Sequence, residues 1–465
     1  MAKTLKHGYV QMCGNSAVDV AGSAYLVRFL NYTILLDYGL VQTSDDKADY
    51  IANSKRNKAI KPKEIDAVIC SHMHSDHVSR IPQLVKEGMR APIFIPKGCK
   101  ALLTIQWQDS VKIFAKEYEK ANRPPIYTQD DVDIALGWVK EVEFGNEYKI
   151  NSHITFQYYY AQHIVKAAQI LLTLNDGINK KRIGYTGDIS DYRSKYFVSS
   201  LELLPFCDIL IGESTYGNRS RMNNKRDRAN DINKLKHCIS TAKEHKSHIV
   251  IPVFALDRLQ GVMTLLHELN MEEPIDIPVY IDTPLGISVC REWKHLSSKD
   301  IELWDDVWND EIFNVVRDFE ETEKIAKSKK PMIVLAGGGM ATGGKSRFYL
   351  QRWLSNPYNQ IIFSGFCHPN STGGKLKSGE LKKISIDGKV VKNNAYVTSL
   401  NSFSSHADTN HLLEYYTKVD YNKIVLVHGE EDAKLALAKE LKEALSEKNR
   451  TSKVTVANKD MKVYI

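Results

Sequence analysis

Short apolar runs recur along this chain with helix-patterned segments between them, and that alternation limits the fold more than any other feature. The runs lie at residues 33–36, 65–70, 209–211, 249–251, 279–281, 333–335, 361–363 and 424–427. Strand-length apolar runs separated by amphipathic stretches specify an α/β protein. Residues 153–160 instead alternate with period two, which predicts a half-exposed antiparallel strand and therefore a mixed sheet system. Apolar spacing predicts helices over 230–242, 256–269, 311–326 and 432–445. There is no internal repeat and no long low-complexity linker.

At roughly 100–200 residues per domain, 465 residues predict two or three domains. With 43% hydrophobic and 26% charged residues the composition is that of an ordinary globular protein, not a disordered or collagenous one. No run approaches the roughly 18 apolar residues of a membrane span, and the N-terminus lacks the apolar core of a signal peptide. The expectation is a cytoplasmic protein with no membrane partner. Seven cysteines, odd in number, scattered and without a C-x-x-C, argue against both a disulfide framework and a thiolate zinc ribbon. The net charge of +7 names no partner by itself.

Two stretches break the pattern. Residues 219–228 carry Arg219, Arg221, Lys225, Arg226 and Arg228 against the single acid Asp227. That run reads either as a solvated loop or as an electrostatic path. Residues 337–346 are glycine-rich between a strand and a helix, yet the lysine comes one position too late for a phosphate-binding loop. A tight strand-to-helix turn whose amides can face an anion is the better reading.

The chemistry concentrates in Ser71-His72-Met73-His74-Ser75-Asp76-His77, directly after a strand. In extended chain, His72 and His74 project to one side and can share a cation. Asp76 and His77, in the turn that follows, can reach a second. Imidazole and carboxylate suit Zn²⁺, and a site without closing cysteines can keep a position open for water. Further ligands are available at other strand ends: His163, Asp188 and His428. Asp37, also at a strand end, suits a partner that holds a ligating histidine in one tautomer.

The H-x-H-x-D-H loop, with Asp37 before it and His163 and Asp188 after it, resembles the metallo-β-lactamase superfamily. The segments 213–217, 252–255, 283–285, 403–408 and 427–429 are similar to the signatures of its β-CASP nucleases. The resemblance implies an αββα sandwich from residues 1–210 and 395–465, with a β-CASP α/β domain inserted at 211–394 and RNA in the cleft between them. It implies two Zn²⁺ ions: one on His72, His74 and His163, the other on Asp76, His77 and His428, with Asp188 bridging. Asp76 would also orient or deprotonate the attacking water, and His406, paired with Glu213, would protonate the leaving oxygen. His428 sides with the RNA-cleaving members, since the DNA-repair branch generally has an apolar residue there. The implied activity is a zinc-dependent, mainly endonucleolytic ribonuclease leaving 3′-hydroxyl and 5′-phosphate ends. The implied partner is single-stranded RNA, with a homodimer as the plausible assembly. Arg258, Lys375, Ser404 and Ser405 are the expected substrate contacts.

The chain departs from the family pattern at three places. Lys166 and Asp257 stand where glycine is usual, and Ser405 replaces another glycine. Two other functions compete. A small-molecule metallohydrolase would lack Glu213, His406 and the inserted domain; a non-catalytic RNA-binding subunit would show degraded ligands, whereas all seven are present.

Overall fold

The structure is a computed structural model and describes residues 8–42, 46–118, 122–190, 200–220, 224–293, 295–296, 301–365, 367–400, 402 and 405–465. The chain divides into two compact units: Met1–Gln42, Lys47–Arg221 and Ser405–Ile465 form one, Thr43–Asp46 and Met222–Ser404 the other.

The first unit holds two seven-stranded sheets. One runs Lys462–Tyr464, Tyr9–Met12, Tyr25–Phe29, Tyr32–Leu36, Ala67–Ile69, Ile93–Pro96, Val139–Val142. The other runs Lys453–Val456, Lys423–Val427, Ile209–Glu213, Lys180–Tyr185, Ala168–Asn175, Ile154–Tyr160, Glu147–Lys149. Each is antiparallel on one side and parallel on the other. Inward residues of both sheets, among them Val27, Ile34, Leu36 and Ile69 against Phe156, Ile170, Leu172 and Ile211, form one buried core. Ile154–Tyr160 is the predicted antiparallel strand, with its even-numbered residues from Ile154 to Tyr158 buried and the intervening ones half-exposed.

The second unit is built on a six-stranded, wholly parallel sheet in the order Phe313–Val315, Val279–Asp282, Met332–Gly337, His248–Val253, Gln360–Phe363, Tyr396–Ser399. Strands such as Met332–Gly337 are buried on both faces, which is why they read as unbroken apolar runs. A separate two-stranded hairpin, Lys383–Ile386 with Lys389–Lys392, packs beside it.

Three predicted helices form, as Asn224–His245, Arg258–Glu272 and Glu431–Glu447. The one predicted over 311–326 starts only at Phe319, because Asp318 caps it by accepting from the Glu321 amide at 2.9 Å. The apolar residues before that cap belong to the edge strand Phe313–Val315, whose β pairing overrides the helical spacing. All seven cysteines are free and buried.

Candidate metal centre

The histidine loop takes its shape from its place at a strand end. Ala67–Ile69 is fully buried; the chain leaves it extended through His74 (φ −69°, ψ 149°) and closes one short helical turn, Ser75–Val78. His72 and His74 therefore share the extended approach, while Asp76 and His77 ride the turn. The loop after Tyr32–Leu36 locks this turn: the Tyr38 amide donates to the His77 carbonyl and the Leu40 amide to that of Ser75. Gly39 between them is obligatory, because a Cβ there would lie 1.7 Å from the Asp76 carbonyl oxygen.

Five strand ends converge on this loop. His74 Nδ1 lies 3.1 Å from His72 Nε2 and 3.2 Å from His163 Nε2, and Asp188 Oδ2 lies 3.7 and 3.6 Å from those two Nε2 atoms. A second group follows: Asp76 Oδ2 is 3.5 Å from His77 Nε2 and 3.3 Å from His428 Nε2. Asp188 also touches this group, with Oδ2 3.5 Å from His77 Nε2 and Oδ1 3.5 Å from His428 Nδ1. A tetrahedral cation with bonds of about 2.0–2.1 Å keeps its ligands about 3.3–3.4 Å apart, and the observed separations bracket that value.

The donor set fits a metal on a further count. His77 Nε2 and Asp188 Oδ1 are buried and have no hydrogen-bond partner among the described residues. Leaving such atoms unsatisfied costs about 1–3 kcal/mol each, and a bound cation removes the penalty. Burial and the His77 charge push the His72 pKa well below the ordinary imidazole value, burial and His406 do the same for His163, and burial brings His74 to about 4. Neutral imidazole is the form that binds metal. For His77 burial works the same way, but the Asp188 and Asp76 carboxylates outweigh it and raise the pKa.

Four of the five rings, those of His72, His77, His163 and His428, are held from behind. Asp37 accepts His77 Nδ1 at 2.8 Å, together with the Ser71 amide (2.7 Å), the Ser71 hydroxyl (2.6 Å) and the Tyr185 hydroxyl (2.8 Å). Ser71 Oγ in turn faces His72 Nδ1 at 3.1 Å. His163 Nδ1 donates to the Ser405 carbonyl at 2.7 Å, and Thr215 Oγ1 lies 3.0 Å from His428 Nδ1. Tyr185, Thr215 and the Ser405 carbonyl were not among the residues singled out from sequence. Thr215 and Ser405 lie in the signature segments 213–217 and 403–408, but nothing local shows these roles, since the partners are 148 to 242 positions away.

Glu213 ends the strand Ile209–Glu213 and is fully buried. It accepts the Ile189 amide at 2.6 Å and His406 Nδ1 at 3.2 Å. The His406 ring lies 4.6 Å from that of His163, beside the first group of nitrogens. Glu213 and His406 are thus an acid–imidazole pair next to the candidate ligands.

The expected substrate contacts fare differently. Arg258 is buried and lies 3.6 Å from Asp257; Lys375 is exposed on the helix Thr372–Ser378. Ser405 is buried, and its carbonyl orients His163, a different task from the expected substrate contact. Ser404 lies outside the described residues, as do Arg221 and the side chains of 222–227 within the basic run. Arg219 stacks over Tyr216, and Arg228 pairs with Glu268 at 3.6 Å. In the glycine-rich turn, Gly338 (φ 104°) would bring a Cβ to 2.1 Å from the Gly343 carbonyl, and Lys345 is turned to Thr322 Oγ1 (2.6 Å) and Asp282 (3.4 Å). Lys166 (φ 57°) and Asp257 (φ 74°) keep the left-handed backbone that glycine would favour.

Fold and site together define a metallohydrolase built on a two-sheet sandwich. Three family descriptions match in succession: the metallo-beta-lactamase superfamily over residues 17–144, the Beta-Casp domain over 259–376, and the Zn-dependent metallo-hydrolase RNA specificity domain over 390–452. The chain is 30% identical over 422 residues to the probable RNase MJ4 of Methanocaldococcus jannaschii, covering 90% of this chain and 92% of that one. It is 28% identical to ribonuclease TTHA0252 of Thermus thermophilus (91% and 94% covered) and 28% identical to the transcription termination factor FttA of M. jannaschii (91% and 67%). In fold it matches the crystal structure of a protein of unknown function from Enterococcus faecalis V583, with a TM-score of 0.55 at 13% identity over 99% of this chain and 100% of that one. The chain belongs to the β-CASP family of the metallo-β-lactamase superfamily, with the β-CASP domain inserted into the sandwich. Among the described residues no helix is long and apolar enough to cross a membrane.

Proposed function

We propose that the protein is a zinc-dependent ribonuclease that hydrolyses RNA phosphodiester bonds, mainly endonucleolytically. One observation carries the reading: Asp188 lies within 3.7 Å of His72, His77, His163 and His428 and so touches two groups of imidazole and carboxylate donors, with the Glu213–His406 pair beside them. His72, His74 and His163 would hold one ion, Asp76, His77 and His428 the other, and Asp188 both. A donor set dominated by imidazole suits zinc better than magnesium or calcium. When bound, two zinc ions supply Lewis acidity and charge neutralisation at the scissile phosphate.

The chain's own residues do the rest. Asp76 is the most exposed carboxylate of the site, 22% against 3% for Asp188 and 0% for Glu213, so it is the one that can take the proton of an attacking water. Glu213 accepts from His406 Nδ1, leaving the opposite nitrogen to return a proton to the departing 3′ oxygen. The products are then a 3′-hydroxyl and a 5′-phosphate.

RNA as substrate is supported by the names of the relatives and by the RNA specificity description. The reading extends to single strands over duplex, to backbone contacts by Arg258, Lys375 and Ser404, to a cytoplasmic location and to a homodimer measurable by light scattering. Wild-type protein loaded with zinc should cut 5′- and 3′-labelled unstructured RNA at internal positions, and the Asp76→Ala/His77→Ala variant should not. Undiminished cutting by that variant would overturn the assignment.

A further inference from the structure

The hairpin Lys383–Ile386 with Lys389–Lys392 is a surface that the catalytic residues leave unexplained. Its inner face, Ile384, Ile386 and Val391, is buried in the core of the second unit with Tyr349, Leu350 and Trp353. It is clamped at its turn: Asp387 pairs with Arg347 at 2.6 Å, Gln351 Nε2 donates to the Ile386 carbonyl at 3.0 Å, and the Asn393 amide donates to the Lys382 carbonyl at 2.9 Å. The outer face is therefore rigid; it consists of Lys383, Ser385, Val390 and Lys392, with Lys382 just before it, all exposed, while Lys389 stands opposite Ile386 and donates to Gln351 Oε1 at 3.4 Å.

Its charge is not balanced internally. Lys383 and Lys392 stand directly opposite one another in the register. Like charges in that position destabilise a strand pair, by an amount within the roughly 0.2–1 kcal/mol range of cross-strand effects. The only acid between Lys382 and Lys392 in sequence, Asp387, is taken by Arg347. A polyanion laid across the hairpin supplies the missing counter-charge.

We infer that this hairpin is a docking surface for the phosphate backbone of single-stranded RNA outside the catalytic centre, with Lys382, Lys383 and Lys392 as its phosphate contacts. This rests on the ribonuclease reading above. Each phosphate contact on a single strand contributes about 0.7 to the slope of log affinity against log salt, so three contribute about 2. Between about 50 and about 200 mM salt, that is about a twenty-fold difference in lost affinity.

The test uses the full-length, zinc-loaded protein, a 40-nucleotide poly(U) and the triple variant Lys382→Gln/Lys383→Gln/Lys392→Gln. The salt slope should fall by about 2, and KM for the RNA should rise several-fold at low salt with kcat unchanged. An unchanged slope with normal wild-type RNA binding overturns the hairpin assignment alone. A wild-type protein that neither binds nor cuts RNA overturns the ribonuclease reading, and this one with it. Poly(Glu) of equal charge competing as well as poly(U) would mean an acidic protein surface instead, which also refutes it. Lys383→Glu separates binding from folding, since it sets opposite charges across the ribbon: its melting temperature should hold or rise while RNA affinity falls. A lowered melting temperature with unchanged affinity would give the lysines a structural role and overturn the inference.

Discussion

Asp37→Asn tests the centre at its most heavily loaded atom. Asp37 is fully buried, sits at φ 55°, and receives four donors: two from Ser71, one from Tyr185 and one from His77. Asparagine tolerates the left-handed backbone and is nearly isosteric, so the substitution changes hydrogen bonding and little else. With its amide nitrogen placed where Oδ2 was, His77 Nδ1 must accept, and the ring proton moves to Nε2, the atom that faces Asp76 and Asp188. With the amide reversed, its NH₂ meets the Ser71 amide head-on. The first placement loses three bonds to a charged acceptor and the second loses one, at about 1.5–3 kcal/mol each, so the cost is at least about 1.5–3 kcal/mol. Loss of such an orienting partner also lowers metal affinity about 10- to 100-fold. Denaturant unfolding of the metal-stripped proteins reads the first effect, and zinc content after dialysis against a weak chelator reads the second. Zinc should drop from about two toward about one per chain, with the Asp76–His77–His428 group emptied first. Wild-type zinc content together with a stability change below about 1 kcal/mol would refute the tautomer argument.

Three further outcomes are expected. His406→Ala should slow RNA cleavage about 10²- to 10⁴-fold with zinc retained; adding Glu213→Gln should cost little more, because the two residues act as one unit and their effects do not add. Equal loss of zinc in His406→Ala would expose a structural role. Thr215→Val, which removes the hydroxyl at 3.0 Å from His428 Nδ1 without changing side-chain size, should weaken binding of one zinc equivalent about 10-fold or more and leave the other untouched, as isothermal titration with Zn²⁺ would read. Asp257→Gly should raise the unfolding free energy by about 0.5–2 kcal/mol, since it relieves a residue held at φ 74° and ψ −51° at the start of Arg258–Glu272. A destabilised variant would mean that the Asp257–Arg258 ion pair outweighs the strain.

The parts of the molecule legible in the chain were those governed by neighbours in sequence. Every apolar run named as a strand forms one, because a strand buried on both faces must be apolar throughout. The spacing of His72, His74, Asp76 and His77 similarly dictates two pairs of donors, one on extended chain and one on a helical turn. Reading failed where a distant partner decides. Residues 311–316 have helical spacing, yet the segment contains an edge strand because Val279–Asp282 offers it hydrogen bonds. The task of the Ser405 carbonyl, which accepts from His163 across 242 positions, is likewise invisible in the motif.

The α/β class and the cluster of candidate donors at His72, His74, Asp76 and His77 were thus set by the order of residues, since alternation and short spacings act over a few bonds; His163, Asp188 and His428 joined it only through the family resemblance. What tertiary structure decided is which nitrogen of each ring faces inward and that Asp188 joins two groups of donors. Those depend on Asp37, Ser405 and Thr215, brought beside their histidines only when two sheets pack face to face across the core of Leu36, Ile69, Ile170 and Ile211. A hydrogen bond about 3 Å long requires that packing to be complete before any ring has a reason to prefer one tautomer.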